Sequence, residues 1–98
     1  MKKLNKKFEN FKFKKIKDLN NLKILEFGVQ RGYSTKRFID LINKKGGELY
    51  SIDIDDCSNI SRNKKWTFIQ SRDDNFKLIK KKIPKKVDVI FLDSLHEA

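Results

Sequence analysis

Short apolar runs alternate with helical stripes along this chain, and the change of period sets the expected fold. From Leu4 to Asn21 the apolar positions Leu4, Phe8, Phe11, Ile16 and Leu19 recur among lysines at near-helical spacing, which predicts a basic amphipathic helix over 1–21. Lys23 to Phe27 is long enough only for a strand. Phe38, Ile39, Leu41 and Ile42 then mark the buried face of a helix from about Ser34 to Lys44, with Gly46 and Gly47 as its C-cap and turn. Glu48 to Asp53 reads as a second strand, Cys57 to Arg62 as a short helix or turn, and Trp66 to Gln70 as a third strand. Asp74 to Lys82 reads as a helix that Pro84 stops, and Val87 to Asp93 as a fourth strand. That last run is almost continuously apolar, the signature of a strand buried on both faces.

Strands alternating with helices predict parallel pairing through right-handed crossovers, hence an α/β domain with helices on both sides of one sheet. With 98 residues there is room for one domain, the helix at 1–21 followed by a core at 22–98.

The candidate chemistry gathers where the first strand ends. Gly28 and Gly32 allow positive φ and a close approach of backbone to a ligand, and Ser34 and Thr35 suit the start of the next helix. Asp53 ends the second strand a little over twenty positions beyond Gly32, near the spacing at which a carboxylate receives a ribose diol. Position 30 is Gln where the dinucleotide fingerprint needs its second glycine, which weakens NAD or FAD, and no Gly-Lys-Ser/Thr follows to make a P-loop. Each residue also has a plainer reading: the glycines as a tight turn, Asp53 as a solvated turn residue beside Asp55 and Asp56, Tyr33 as packing, Asp73 and Asp74 as a helix cap and first-turn acid.

Three motifs carry a family resemblance. Glu26-x-Gly28-x-x-x-Gly32-Tyr33-Ser34-Thr35, then Ser51-Ile52-Asp53, then Val87 to His96 resemble a class I S-adenosylmethionine-dependent methyltransferase, most nearly the small-molecule O-methyltransferases similar to catechol and macrocin O-methyltransferase. The resemblance implies a Rossmann-like three-layer fold of which the first four strands are present, in the order 3-2-1-4. It implies that Glu26, Gly28, Gly32, Tyr33 and Ser34 surround the methionine half of the cofactor, that Asp53 takes the ribose, and that Asp73, in preference to Arg72, contacts the adenine. It also implies Asp93 as the active-site carboxylate, a Mg²⁺ ligand in metal-dependent members, and His96 as base or metal ligand. The expected partner is a small-molecule acceptor bearing a hydroxyl. A full domain of this class has seven strands, so the chain reads as the N-terminal portion of such an enzyme, its fourth strand open to a second copy or a second chain that completes the sheet.

The net charge of +11 points elsewhere, to nucleic acid or an anionic membrane. Yet lysines outnumber arginines by 20 to 4, and Lys, Asn, Ile and Phe make up 47 of the 98 residues, a bias expected of AT-rich coding. Arginine, the usual reader of phosphate forks and guanine edges, is scarce, so nucleic acid is not the expected partner. One cysteine, Cys57, excludes an internal disulfide and fits a cytoplasmic location. No apolar run approaches membrane-spanning length. The expected function is S-adenosylmethionine-dependent methyl transfer with this chain as the cofactor-binding half. The alternatives are a non-catalytic cofactor- or partner-binding fragment and a nucleic-acid-binding or nucleic-acid-modifying protein using the lysines.

Overall fold

A computed structural model describes residues 19–92, so the expected helix at 1–21 lies almost wholly outside the described residues. The elements are β1 (Leu22–Phe27), α1 (Tyr33–Lys45), β2 (Gly47–Asp53), a 3₁₀ turn (Ser58–Ile60), β3 (Trp66–Gln70), α2 (Phe76–Lys82) and β4 (Val89–Leu92). The four strands are all parallel and lie in the order β3-β2-β1-β4.

Strand alternation sorts the core into two halves. Ile24 of β1, Leu49 of β2, Trp66 of β3 and Phe91 of β4 share one face, where Phe38, Ile39 and Ile42 of α1 cover them. Phe38 and Phe91 meet edge to face with ring centroids 5.3 Å apart. Leu25, Ile52 and Ile69 point the other way and pack with Ile79 of α2. The result is the three-layer α/β/α arrangement that the alternation predicts.

Helix α1 ends because Gly46 adopts φ 81° and sends its N–H back to the Ile42 carbonyl, and β2 starts at the next residue, so Gly47 belongs to the strand and not to a turn. Helix α2 starts two residues later than the sequence suggests. Its cap is Asn75, whose side-chain oxygen accepts the Leu78 N–H, while Asp74 is drawn away to Arg72.

The fourth strand departs most from expectation. It is shorter, and it is buried on one face only: Phe91 is 3% exposed, but Ile90 and Leu92 on the opposite face are 52% and 67% exposed. The seven residues of α2 reach the part of that face built by β1, β2 and β3, and no described element covers β4 there. Among the described residues β4 pairs with β1 alone. Asp88 is no part of the strand; its carboxylate accepts the Lys23 N–H at 2.8 Å, and its own N–H donates to the Lys23 carbonyl.

Candidate functional site

A parallel sheet gathers its loops at the carboxyl ends of the strands, where ligands of such sheets settle. Here those loops surround an open cleft of about 470 Å³. Phe27 ends β1, Gly28 and Gln30 come from the loop after it, Asp53, Ile54 and Asp55 from the end of β2, and Ser71, Arg72 and Asp73 from the turn after β3.

The loop after β1 turns sharply because Gly28, Gln30 and Gly32 all have positive φ, at 92°, 54° and 84°. At Gly32, which caps α1 in the left-handed region, a Cβ would also press into the Ile60 side chain. The loop is held from across the sheet. Asp53 Oδ2 accepts the N–H groups of Val29 at 2.8 Å and Gln30 at 3.0 Å, while Oδ1 accepts that of Asp55 at 2.9 Å. Partial burial pushes the Asp53 carboxyl up, but the N–H groups of Gln30, Asp55, Val29 and Ile54 outweigh it and hold the group below the usual aspartate range.

Beneath the loop lies a second polar cluster. Glu26 sits on the α1 face of β1, fully buried, and its carboxylate accepts hydrogen bonds from Ser34 Oγ at 2.6 Å, Thr35 Oγ1 at 2.7 Å and Ser51 Oγ at 2.7 Å. Trp66 Nε1 donates in turn to Ser51 Oγ at 2.8 Å. A chain of hydrogen bonds thus runs from β3 through β2 to β1 and up into the first turn of α1. The Glu26 carboxyl lies under the helix start, where the macrodipole favours negative charge. Among the described residues every buried side-chain polar atom has a partner.

The expected site residues therefore separate. Gly28, Asp53 and Asp73 line the cleft. Glu26 and Ser34 lie beneath the loop, buried and hydrogen-bonded to each other. Gly32 packs on Ile60, and Tyr33 projects into solvent at 72% exposure. Asp93 and His96 lie outside the described residues. Missing from the expectation are Gln30 and Asp55. Asp55 is exposed in the cleft and accepts no hydrogen bond among the described residues, two residues from an aspartate whose oxygens are already engaged. The signal was the Asp53-x-Asp55 pair itself, read only as solvated neighbours.

Arg72, also in the cleft wall, is turned to Asp74 through a two-pronged contact of 3.1 and 3.2 Å, which leaves Asp73 outside that pair. Burial, with the charges of Asp53, Asp55 and Asp56, pushes the Cys57 thiol up to about 11, which favours the protonated thiol at neutral pH. Among the described residues no group of three or more His, Cys, Asp or Glu side chains could hold a metal ion, and no helix is long and apolar enough to cross a membrane. No known protein family, curated protein or solved structure matches the chain.

Proposed function

We propose that the cleft binds S-adenosylmethionine and that the chain is the cofactor-binding half of a methyltransferase acting on a small-molecule hydroxyl. The observation that carries this reading is the fate of the Val29 and Gln30 N–H groups. In a phosphate-binding loop such groups point at the ligand. Here both point at the Asp53 carboxylate, and Asp55 and Asp73 add further negative charge to the same cleft. A pyrophosphate would meet three carboxylates, with the Val29 and Gln30 N–H groups taken by Asp53 and the one arginine of the cleft wall, Arg72, paired with Asp74. A nucleoside cofactor without phosphates, carrying positive charge on sulfur and nitrogen, suits that field.

The residues present fit such a group. The cleft volume of about 470 Å³ lies within the usual range for small-molecule sites. Phe27, Ile52 and Ile54 offer apolar contact, and Asp73 can accept from an adenine amine. The ribose diol falls to Asp55 with Asp53 behind it, because most of the Asp53 acceptor capacity is taken by backbone. The cofactor supplies the electrophilic methyl group. The chain's part is to bind and orient it, and by the family resemblance Asp93 and His96 would face the acceptor and remove its proton.

Calorimetric titration of the full chain with S-adenosylhomocysteine, beside NAD⁺ and ATP, tests the reading. Saturable binding of S-adenosylhomocysteine alone, weakened tenfold or about 1.4 kcal/mol by Asp55→Ala, is expected. Equal binding of the phosphate-bearing ligands, or none by a folded chain, sinks it. The exposed Ile90 and Leu92 on β4 favour a second reading, a half-domain that becomes competent when a second copy or another chain covers that strand.

A further inference from the structure

The two ends of the sheet carry opposite charge. Five aspartates, from Asp53 to Asp74, crowd the carboxyl ends of the strands. At the amino-terminal ends stand Lys44 and Lys45 closing α1, Lys64 and Lys65 leading into β3, Lys23 in β1, and five lysines from Lys80 to Lys86 in the last turn of α2 and the approach to β4. That is ten of the twelve lysines among residues 19–92, all exposed, and none of the ten side chains makes an ion pair among the described residues. Among the described residues Glu48 and Asp88 bring negative charge to this end, with Asp40 one turn before Lys44, and the carboxylates of Glu48 and Asp88 already accept hydrogen bonds, from Tyr50 and from the Lys23 N–H.

Coding bias explains how many lysines there are but not where they stand. It would scatter them over both helices, yet Lys36 and Lys77, in the first turns of α1 and α2, are the two exceptions. We infer that the amino-terminal end of the sheet is a binding surface for the phosphate backbone of a nucleic-acid duplex, independent of base sequence. Lysines act as mobile point charges, suited to phosphates and poor at reading bases. A single strand would need exposed aromatic platforms. At this end Trp66 is buried and Phe68 half-buried. A membrane surface would need apolar side chains to insert, and among the described residues Leu19 is the one large exposed apolar residue here. The acidic cleft repels phosphates, so the duplex meets one end of the molecule and leaves the cleft open. The inference stands apart from the cofactor reading.

Two variants of equal net charge provide the test. One removes three lysines from the surface (Lys81→Gln, Lys85→Gln, Lys86→Gln), the other three cations near the opposite end (Arg31→Gln, Lys36→Gln, Lys77→Gln), with folding checked by circular dichroism. Fluorescence anisotropy of a labelled duplex of about two helical turns reads affinity against salt. The first variant should lose tenfold or more at about 100 mM salt and flatten the log–log salt slope by about 2.7, at 0.9 per phosphate contact. The second should stay within twofold of the parent. Equal loss in both variants would reduce the effect to net charge and overturn the inference. So would absence of duplex binding by the parent at about 50 mM salt, or retention by anionic vesicles without it.

Discussion

Asp53 at the end of β2 and Val29 in the loop after β1 meet through a 2.8 Å hydrogen bond from the Val29 N–H to Asp53 Oδ2. The neighbouring Gln30 N–H joins the same oxygen, so one carboxylate clasps the turn that shapes the cleft. Asp53→Ala strands these donors in a partly buried place and should lower stability by about 1 to 3 kcal/mol. Urea unfolding followed by circular dichroism measures it, and a change below experimental error would show that the clasp is not holding the loop.

The same bond makes stability depend on acid. The folded Asp53 carboxyl binds its proton less readily than the unfolded one. Its contribution is therefore complete above the unfolded value of about 3.9 and is lost as pH falls through the lower folded value. Exposed Asp56 and Asp74 are lowered as well, by the Ser58 hydroxyl and the Arg72 guanidinium respectively, so the parent alone does not isolate Asp53. The difference in urea midpoint between parent and Asp53→Asn should shrink between about pH 5 and pH 2. A constant difference over that range would place the origin of the effect elsewhere.

Glu26 separates a structural role from a ligand-binding one. Glu26→Ala leaves the hydroxyls of Ser34, Thr35 and Ser51 without their acceptor and opens a void. The expected cost is on the order of 3 kcal/mol or more, a large part of the stability of a domain this small. Glu26→Gln keeps one acceptor oxygen and rotatable hydroxyl partners and should cost less. If Glu26→Ala folded with parental stability but lost S-adenosylhomocysteine binding, the residue would be a ligand contact instead.

Half of β4 invites another surface. Replacing Ile90 and Leu92 with lysine should suppress concentration-dependent association in sedimentation velocity while moving stability by about 0.5 kcal/mol or less, since both side chains are exposed. Unchanged association would direct attention away from this strand.

The α/β alternation and the ends of β3 were legible because Trp66 to Gln70 is a five-residue β-rich run with turn residues on both sides. What the sequence hid is tertiary. The continuous apolar run at β4 suggested two covered faces, but composition cannot say how far a seven-residue helix reaches across a sheet. Glu26 was placed in the first strand, yet the resemblance assigned it to the cofactor because the motif continues into Gly28. Strand alternation was the better guide, since Glu26 lies two residues from buried Ile24 and therefore on the same face. Asp53 was recognised as important for its spacing, yet its backbone partners come from a segment 24 positions earlier. Asp73 and Asp74 looked like a helix cap and first-turn acid, and the true cap, Asn75, came two positions after Asp73, with Asp74 bound to Arg72.

The hydrogen-bonded chain from Trp66 through Ser51 to Glu26, with Ser34 above it, has a kinetic corollary. A floor fastened to three strands and a rim fastened by Asp53 leave little for an arriving molecule to rearrange. The ordering entropy of this loop is already taken up by folding, so a ligand that fits the cleft meets it ready-formed. Its association rate should be set by diffusion and charge rather than by a slow closing step.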